Sequence, residues 1–319
     1  MHSKKRRRRS HTGSINKMKE INLNHICKIE GHAHLNLKIE KNKVIECHLK
    51  AAEGARFFEA LTLGKKLPDV QEVVSRICGI CSVAHSVAAV VALEKAIGAK
   101  TSREQMIIRE LLMIGERIRS YATHLYLLVL PDYLGFASAI EMQKKYPNEV
   151  NDALALITIG NKIIEALGGR EMHPFLGIHE GVRKDFDFKE IIEYIERSKP
   201  IAKKTAKLFL SLKYPELDRE MEGLSLRDEG YATIKGELVS HSEKIRTSDY
   251  KKHLSENIKE YATSMFSNLS TPILAFFNCV KTVVTKFSDK SFGVSCSWYV
   301  FANTLLSSAI IIPLINKLL

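Results

Sequence analysis

Hydrophobic and polar positions follow two different rhythms along this chain. Over residues 21–50 they alternate, with Leu35, Leu37 and Ile39 on one face and Asn36, Lys38 and Glu40 on the other. A period of two predicts strands. Ile26, Lys28, Ile29 and Glu30 extend the alternation upstream, and Lys41-Asn42-Lys43 predicts a hairpin turn into a strand over residues 44–49. Residues 51–66 read as a loop entering a short helix that ends at Gly64. From there the period is helical. Residues 69–98 form one such stretch, apolar almost all round over 87–93, so a buried helix is expected. Thr101-Ser102-Arg103-Glu104 has the form of a capping box and opens a helix running to about Leu130, ahead of Pro131. Ile107, Leu111, Leu112, Ile114, Ile118 and Leu125 recur along it at helical spacing. Residues 148–167 predict a further helix stopped by Gly168-Gly169, and residues 170–182 a loop punctuated by Gly and Pro. An amphipathic helix over 188–212, mixed turns and short strands over 213–247, and a helix over 250–266 complete the pattern. The expected fold class is mainly α with a small α+β N-terminal part.

Composition narrows this picture in three places. The net charge of +12 suggests a nucleic-acid partner until its location is considered. Lys4, Lys5, Arg6, Arg7, Arg8, Arg9 and Lys17 all precede Met18 with no acid among them, and the remainder is only mildly basic. Residues 1–17 therefore read as a basic leader, disordered or ahead of a true start at Met18, and no nucleic-acid partner is expected. Residues 268–319 differ again. Asp289 is the sole acid after Glu260, and residues 291–316 carry no charge. That length would suffice for a membrane span, so membrane contact is expected only if this tail is authentic. Six scattered cysteines in a chain of 319 residues do not make a disulfide scaffold. One close pair in such a chain reads as cytoplasmic, kept for metal or redox work.

That pair is Cys78 and Cys81, within Arg76-Ile77-Cys78-Gly79-Ile80-Cys81-Ser82-Val83-Ala84-His85. If these residues form a helix or its entry turn, Cys78, Cys81 and His85 share one face. Gly79 permits a tight bend, and Arg76 adds positive charge that favours thiolate. Two soft sulfurs and a nearby imidazole suit zinc, iron or nickel. Glu30, beside Gly31, His32 and His34, would line a metal site or proton path, whereas His34 and His48 read as solvent-facing edge residues. Glu59 follows Phe57 and Phe58, so a half-buried carboxylate needing a basic or cationic partner is expected there.

Together these motifs resemble the large subunit of NiFe hydrogenases, nearest to the cytoplasmic, cofactor-coupled, sulfhydrogenase-like group. Residues 29–32, 53–60 with Gly64, and 168–182 resemble three family segments, and residues 76–85 match its first cysteine motif, Arg-x-Cys-Gly-x-Cys-x-x-x-His, without departure. The cover is roughly residues 18–267, which would form the hydrogenase-like domain. The resemblance implies Cys78 as a terminal thiolate on nickel and Cys81 as a bridge between nickel and an iron carrying carbon monoxide and cyanide. It further implies His85 as support near the bridging sulfur, Glu30 as a proton relay and Glu59 as a magnesium ligand. Dihydrogen would be the substrate, cleaved heterolytically. The implied partners are an iron–sulfur small subunit and further electron-transfer subunits.

Two departures stand out. Glu180 occupies a position where the family usually has glycine, and no Asp-Pro-Cys-x-x-Cys-x-x-His follows; Cys279 and Cys296 are isolated. The arginine that the family places over its metal pair is not identifiable either. The tail therefore reads as truncated or out of frame, leaving the chain with half a sulfur site. Two alternatives stay open: a non-catalytic hydrogenase-like subunit of an electron-transfer complex, and a zinc or iron–sulfur protein using the Cys78/Cys81 pair.

Overall fold

A computed structural model describes residues 18–26, 28, 31–51, 57–178, 187–214, 225–227, 234, 236–240, 243–258 and 263–267. Glu30, Glu180, the leader 1–17 and the tail 268–319 with Cys279 and Cys296 lie outside the described residues. The chain divides into two compact units, Met1–Ala55 with Glu256–Met265, and Arg56–Ser255 with Phe266–Leu319.

The first unit holds an antiparallel sheet of β1 (Lys19–Leu23), β2 (Ala33–Glu40) and β3 (Lys43–Ala51), in that order. Cross-strand rows such as Leu23–Leu35–Leu49 and Ile21–Leu37–Cys47 put the alternating apolar positions on one face. Lys41 and Asn42 both take positive φ, 49° and 61°, the geometry of a two-residue hairpin turn matched to the strand twist. Ile26 and Lys28, expected in a strand, lie in the link between β1 and β2. There Lys28 and Gly31 turn the chain at φ 63° and 82°. His34 departs from its expected solvent-facing role: its Nδ1 is buried without a hydrogen-bond partner among the described residues.

The second unit is helical: α1 (Phe57–Thr62), α2 (Leu67–Ser75), α3 (Ser82–Ile97), α4 (Arg103–Ala122), α5 (Leu130–Leu134), α6 (Ala139–Gln143), α7 (Pro147–Gly168) and α8 (Phe188–Ser211). The single helix expected over 69–98 is two, because residues 76–81 leave helical geometry to present the cysteines. The capping box is present one residue later than expected: Ser102 accepts from Gln105 N–H while the Gln105 side chain accepts from Ser102 N–H. The helix also does not stop before Pro131. A π-helical segment, Thr123–Val129, connects α4 to α5, with Leu130 N–H reaching Leu125 O. Pro131 has no N–H for the regular ladder, and a widened turn ahead of it absorbs the loss.

Residues such as Val83, Val87 and Val90 of α3, Leu111 and Ile114 of α4, Ile159 and Ile163 of α7 and Ile191 and Ile195 of α8 form the core. Gly115 and Gly160 bring α4 and α7 together: a Cβ on Gly160 would lie 2.6 Å from Gly115 O and 2.8 Å from Arg119 N. Beyond α8, a small antiparallel sheet of β4 (Ser225–Arg227), β5 (Glu237–Val239) and β6 (Lys244–Ile245) agrees with the expected turns and short strands. The helix expected over 250–266 is reduced to α9 (Tyr250–His253). It is followed by paired strands β7 (Leu254–Ile258) and β8 (Thr263–Ser267). Strand pairing there is decided by a neighbouring segment, which local periodicity does not register. No helix among the described residues is long and apolar enough to cross a membrane.

Candidate metal centre

The cysteine motif fills the break between α2 and α3. Cys78 is buried in the loop and Cys81 is the N-cap of α3. Gly79 lies against the neighbouring loop, where a Cβ would sit 2.9 Å from Met172 Cε. The two sulfurs meet: Cys78 and Cys81 are joined through Sγ, with Cα atoms 5.5 Å apart. Cys81 N–H also donates to Cys78 Sγ at 3.2 Å, a contact that stabilises sulfur in its anionic form. Cys81 stands at the positive end of α3, which acts in the same direction. Reduced, the pair offers two adjacent thiolates, the donor set a soft metal takes. Joined, it offers none, so metal uptake requires the dithiol.

His85 lies one turn into α3, its N–H on Cys81 O at 3.2 Å. Burial pushes its imidazole below the usual pKa, leaving it neutral at neutral pH. The expected common face of Cys78, Cys81 and His85 is not assembled into a three-donor set. Among the described residues no three His, Cys, Asp or Glu side chains gather to hold an ion. Cys81, at φ −107° and ψ 27°, is still outside the helix, so helical spacing does not extend back to Cys78.

Arg76 does not serve the sulfurs either. Half exposed, it pairs with Glu72 one turn back on α2, and Arg170 takes the other Glu72 oxygen at 2.7 Å. The cation beside the cysteine loop is Arg119 of α4, which sequence reasoning missed. Its guanidinium donates to Ile80 O at 2.6 Å, Glu171 O at 2.8 Å, Asn161 Oδ1 at 3.3 Å and Met172 Sδ at 3.4 Å. Its Nε is buried without a hydrogen-bond partner among the described residues.

Glu116, one turn earlier on α4, was missed as well. It accepts from Val83 N–H at 2.6 Å and Ala84 N–H at 3.1 Å, capping the first turn of α3 from another helix. Arg119 is 3.7 Å from it. Burial nevertheless prevails over both donors and the cation, raising the Glu116 carboxyl from 4.5 to about 7. The only local cue in the sequence was a Glu–Arg pair at i, i+3 between apolar positions of α4.

The loop after α7 is laced to the same junction. His173, at φ 51°, donates its backbone N–H to Ser82 Oγ at 3.1 Å and approaches Ser75 O through Nδ1 at 2.8 Å. Gln71 Nε2 donates to Ser86 Oγ at 3.0 Å and to Pro174 O at 3.1 Å. Glu59 departs from expectation: it is exposed on α1, a six-residue helix with no buried position. Glu30 lies outside the described residues.

Residues 56–165 match the family model described as nickel-dependent hydrogenase. The chain is 35% identical over 256 residues to sulfhydrogenase 1 subunit alpha of Pyrococcus furiosus, covering 78% of this chain and 60% of that protein. It is 41% identical over 184 residues to sulfhydrogenase 2 subunit alpha of the same organism, covering 57% and 44%. It thus spans 44% to 60% of the length of these relatives. Its fold is similar to a crystal structure of an NAD+-reducing [NiFe]-hydrogenase in the H2-reduced state, with TM-score 0.75, 17% identity and coverage of 94% of this chain and 78% of that one. With the cysteine motif intact at the start of α3, residues 56–165 carry the nickel-dependent hydrogenase domain, and the chain is similar to hydrogenase alpha subunits.

Proposed function

We propose that this chain acts as the large subunit of a NiFe hydrogenase, cleaving dihydrogen reversibly and heterolytically and passing electrons to an iron–sulfur small subunit. The observation that carries this reading is the cysteine pair: two adjacent sulfurs at the start of α3, one of them accepting a backbone N–H, within the segment matched by the family. In the reduced protein Cys78 would hold nickel as a terminal thiolate, and Cys81 would hold nickel and iron together. Nickel, and iron carrying carbon monoxide and cyanide, supply the electron-accepting and Lewis-acid chemistry that heterolysis needs. The chain's own part is to receive the proton at a cysteine sulfur and move it outward, the role assigned to Glu30. His85, neutral beside the cysteine loop, supports the bridging sulfur without ligating. Glu59 is assigned to magnesium. This reading places the protein in the cytoplasm, with further electron-transfer subunits beyond the iron–sulfur partner.

A zinc knuckle would require further donors around the pair, and its usual form is two paired knuckles. The family match speaks for nickel instead. The second cysteine pair that this site requires, Asp-Pro-Cys-x-x-Cys, is not in the present sequence. The test begins at the gene: translation of the locus past codon 267 in all three frames should reveal that motif. Protein carrying it, co-expressed with its small subunit, should take up hydrogen, and Cys78→Ser should abolish uptake. A locus without the motif, or uptake retained in the serine variant, refutes the reading.

A further inference from the structure

We propose that Glu116 and Arg119 are positioning residues for the cysteine pair, two side chains of α4 that hold the loop on both sides of Cys81. The inference rests on the reading of Cys78 and Cys81 as metal ligands. Before Cys81, the backbone is fixed by Arg119 through Ile80 O at 2.6 Å. After Cys81, it is fixed by Glu116 through Val83 N–H at 2.6 Å and Ala84 N–H at 3.1 Å. Cys81 is therefore suspended between two anchors one helical turn apart on the same rigid helix. Because Arg119 also binds Glu171 O and Met172 Sδ, the same guanidinium holds the loop that packs on Gly79.

Neither residue belongs to the apolar core in chemistry, yet both are buried in it. The hydrogen bonds of Arg119 go to the two loops and to Asn161, and those of Glu116 to the backbone of the first turn of α3, rather than to each other. A pair present only for stability would close on itself, as Arg109 and Glu94 do. Outer contacts of this kind fix the orientation of metal ligands, and their loss weakens metal affinity by about 10- to 100-fold.

The test uses the full chain, reduced, titrated with cobalt(II). The thiolate-to-cobalt absorption band is assigned to the pair by its loss in Cys78→Ser. Glu116→Ala and Arg119→Ala should each weaken cobalt binding about 10- to 100-fold, with Glu116→Gln and Arg119→Lys recovering most of the loss. Arg109→Lys serves as the stability control. Its partner Glu94 lies 13 residues along α3 from Cys81, about 20 Å away at 1.5 Å per residue. This control should lower Tm while leaving cobalt affinity unchanged. The proposal is overturned if the Glu116 and Arg119 variants bind cobalt as the unaltered chain does, or lose affinity only in step with Tm, as the control would. If the unaltered chain shows no thiolate band, the metal reading of the pair fails. The positioning role is then judged by the rate of iodoacetamide reaction at Cys81. A rate changed in Glu116→Ala but not in Arg109→Lys upholds it, and equal rates refute it.

Discussion

The two ends of α3 are each tied to α4 by an arginine and a glutamate, and the ties are built differently. At the C-terminal end Arg109 and Glu94 form a closed, bidentate pair at 2.6 and 2.8 Å, with Thr101 adding a third bond to Glu94 at 2.7 Å. Both side chains are almost wholly buried, at 2% and 3% exposure. At the N-terminal end Arg119 and Glu116 stand 3.7 Å apart; Arg119 donates to the backbone of the cysteine loop and of the loop after α7, and Glu116 accepts from the backbone of the first turn of α3. One end is a self-contained fastening. The other does not close on itself, leaving Arg119 Nε without a partner among the described residues, and shapes a loop bearing two sulfurs. Buried charge at the first end stabilises the helix pair; at the second it specifies a geometry.

This contrast can be broken most severely at the closed end. Arg109→Ala should destabilise the protein by about 3–5 kcal/mol in urea unfolding, because it leaves the Glu94 carboxylate buried and uncompensated. A loss below about 1 kcal/mol would mean that the pair is not buried as described.

At the open end the sharpest signature is pH. Glu116 titrates near 7 folded and near 4.5 when solvated, so the folded protein binds the extra proton between those values. Stability from this group is therefore fully present below about pH 4.5 and lost as pH rises through about 7. The total is about 3 kcal/mol at roughly 1.4 kcal/mol per pH unit. Glu116→Gln should flatten that decline in unfolding free energy measured across the same range. An unaltered slope would place the titration elsewhere.

Smaller effects test the scaffold beneath each end. Gly160→Ala would press a methyl group against Gly115 O and the Arg119 backbone, and should destabilise by about 1–3 kcal/mol. It should also slow metal uptake if the open end is as sensitive to geometry as proposed. Ser102→Ala removes the N-cap of α4 near the closed end, for a loss of about 1 kcal/mol without change at the cysteines.

Much of the scaffold was legible in the sequence because its cues are local. Alternation marked β2 and β3, and Gly168-Gly169 marked the end of α7. The apolar run over 87–93, expected to be buried almost all round, covers only one face of α3: Val87 and Val90 are buried while Ala88 and Ala92 are exposed. The errors share a cause. The break at 76–81, the strands in place of a helix after His253, and the π-helical passage before Pro131 are settled by partners distant in sequence or by a single missing N–H. Periodicity carries neither.

The same holds at the site. Cys78, Cys81 and His85 could be named from spacing, because a two-residue separation of thiols is distinctive. Arg76 was assigned to the sulfurs by proximity in sequence, whereas space assigns that place to Arg119, 38 positions after Cys81. Glu116 and Arg119 lie among the several charges of α4, and nothing in the helical spacing of its apolar positions set them apart from the solvent-facing ones.

The central claim is that the loop at the start of α3 presents Cys78 and Cys81 to nickel. Its most direct test is the metal content of protein expressed from the locus with its iron–sulfur small subunit, measured in parallel for the unaltered chain and for Cys78→Ser and Cys81→Ser. The account predicts nickel and iron together in the unaltered protein and loss of nickel in both variants. Zinc in their place, or nickel retained after either substitution, would contradict it.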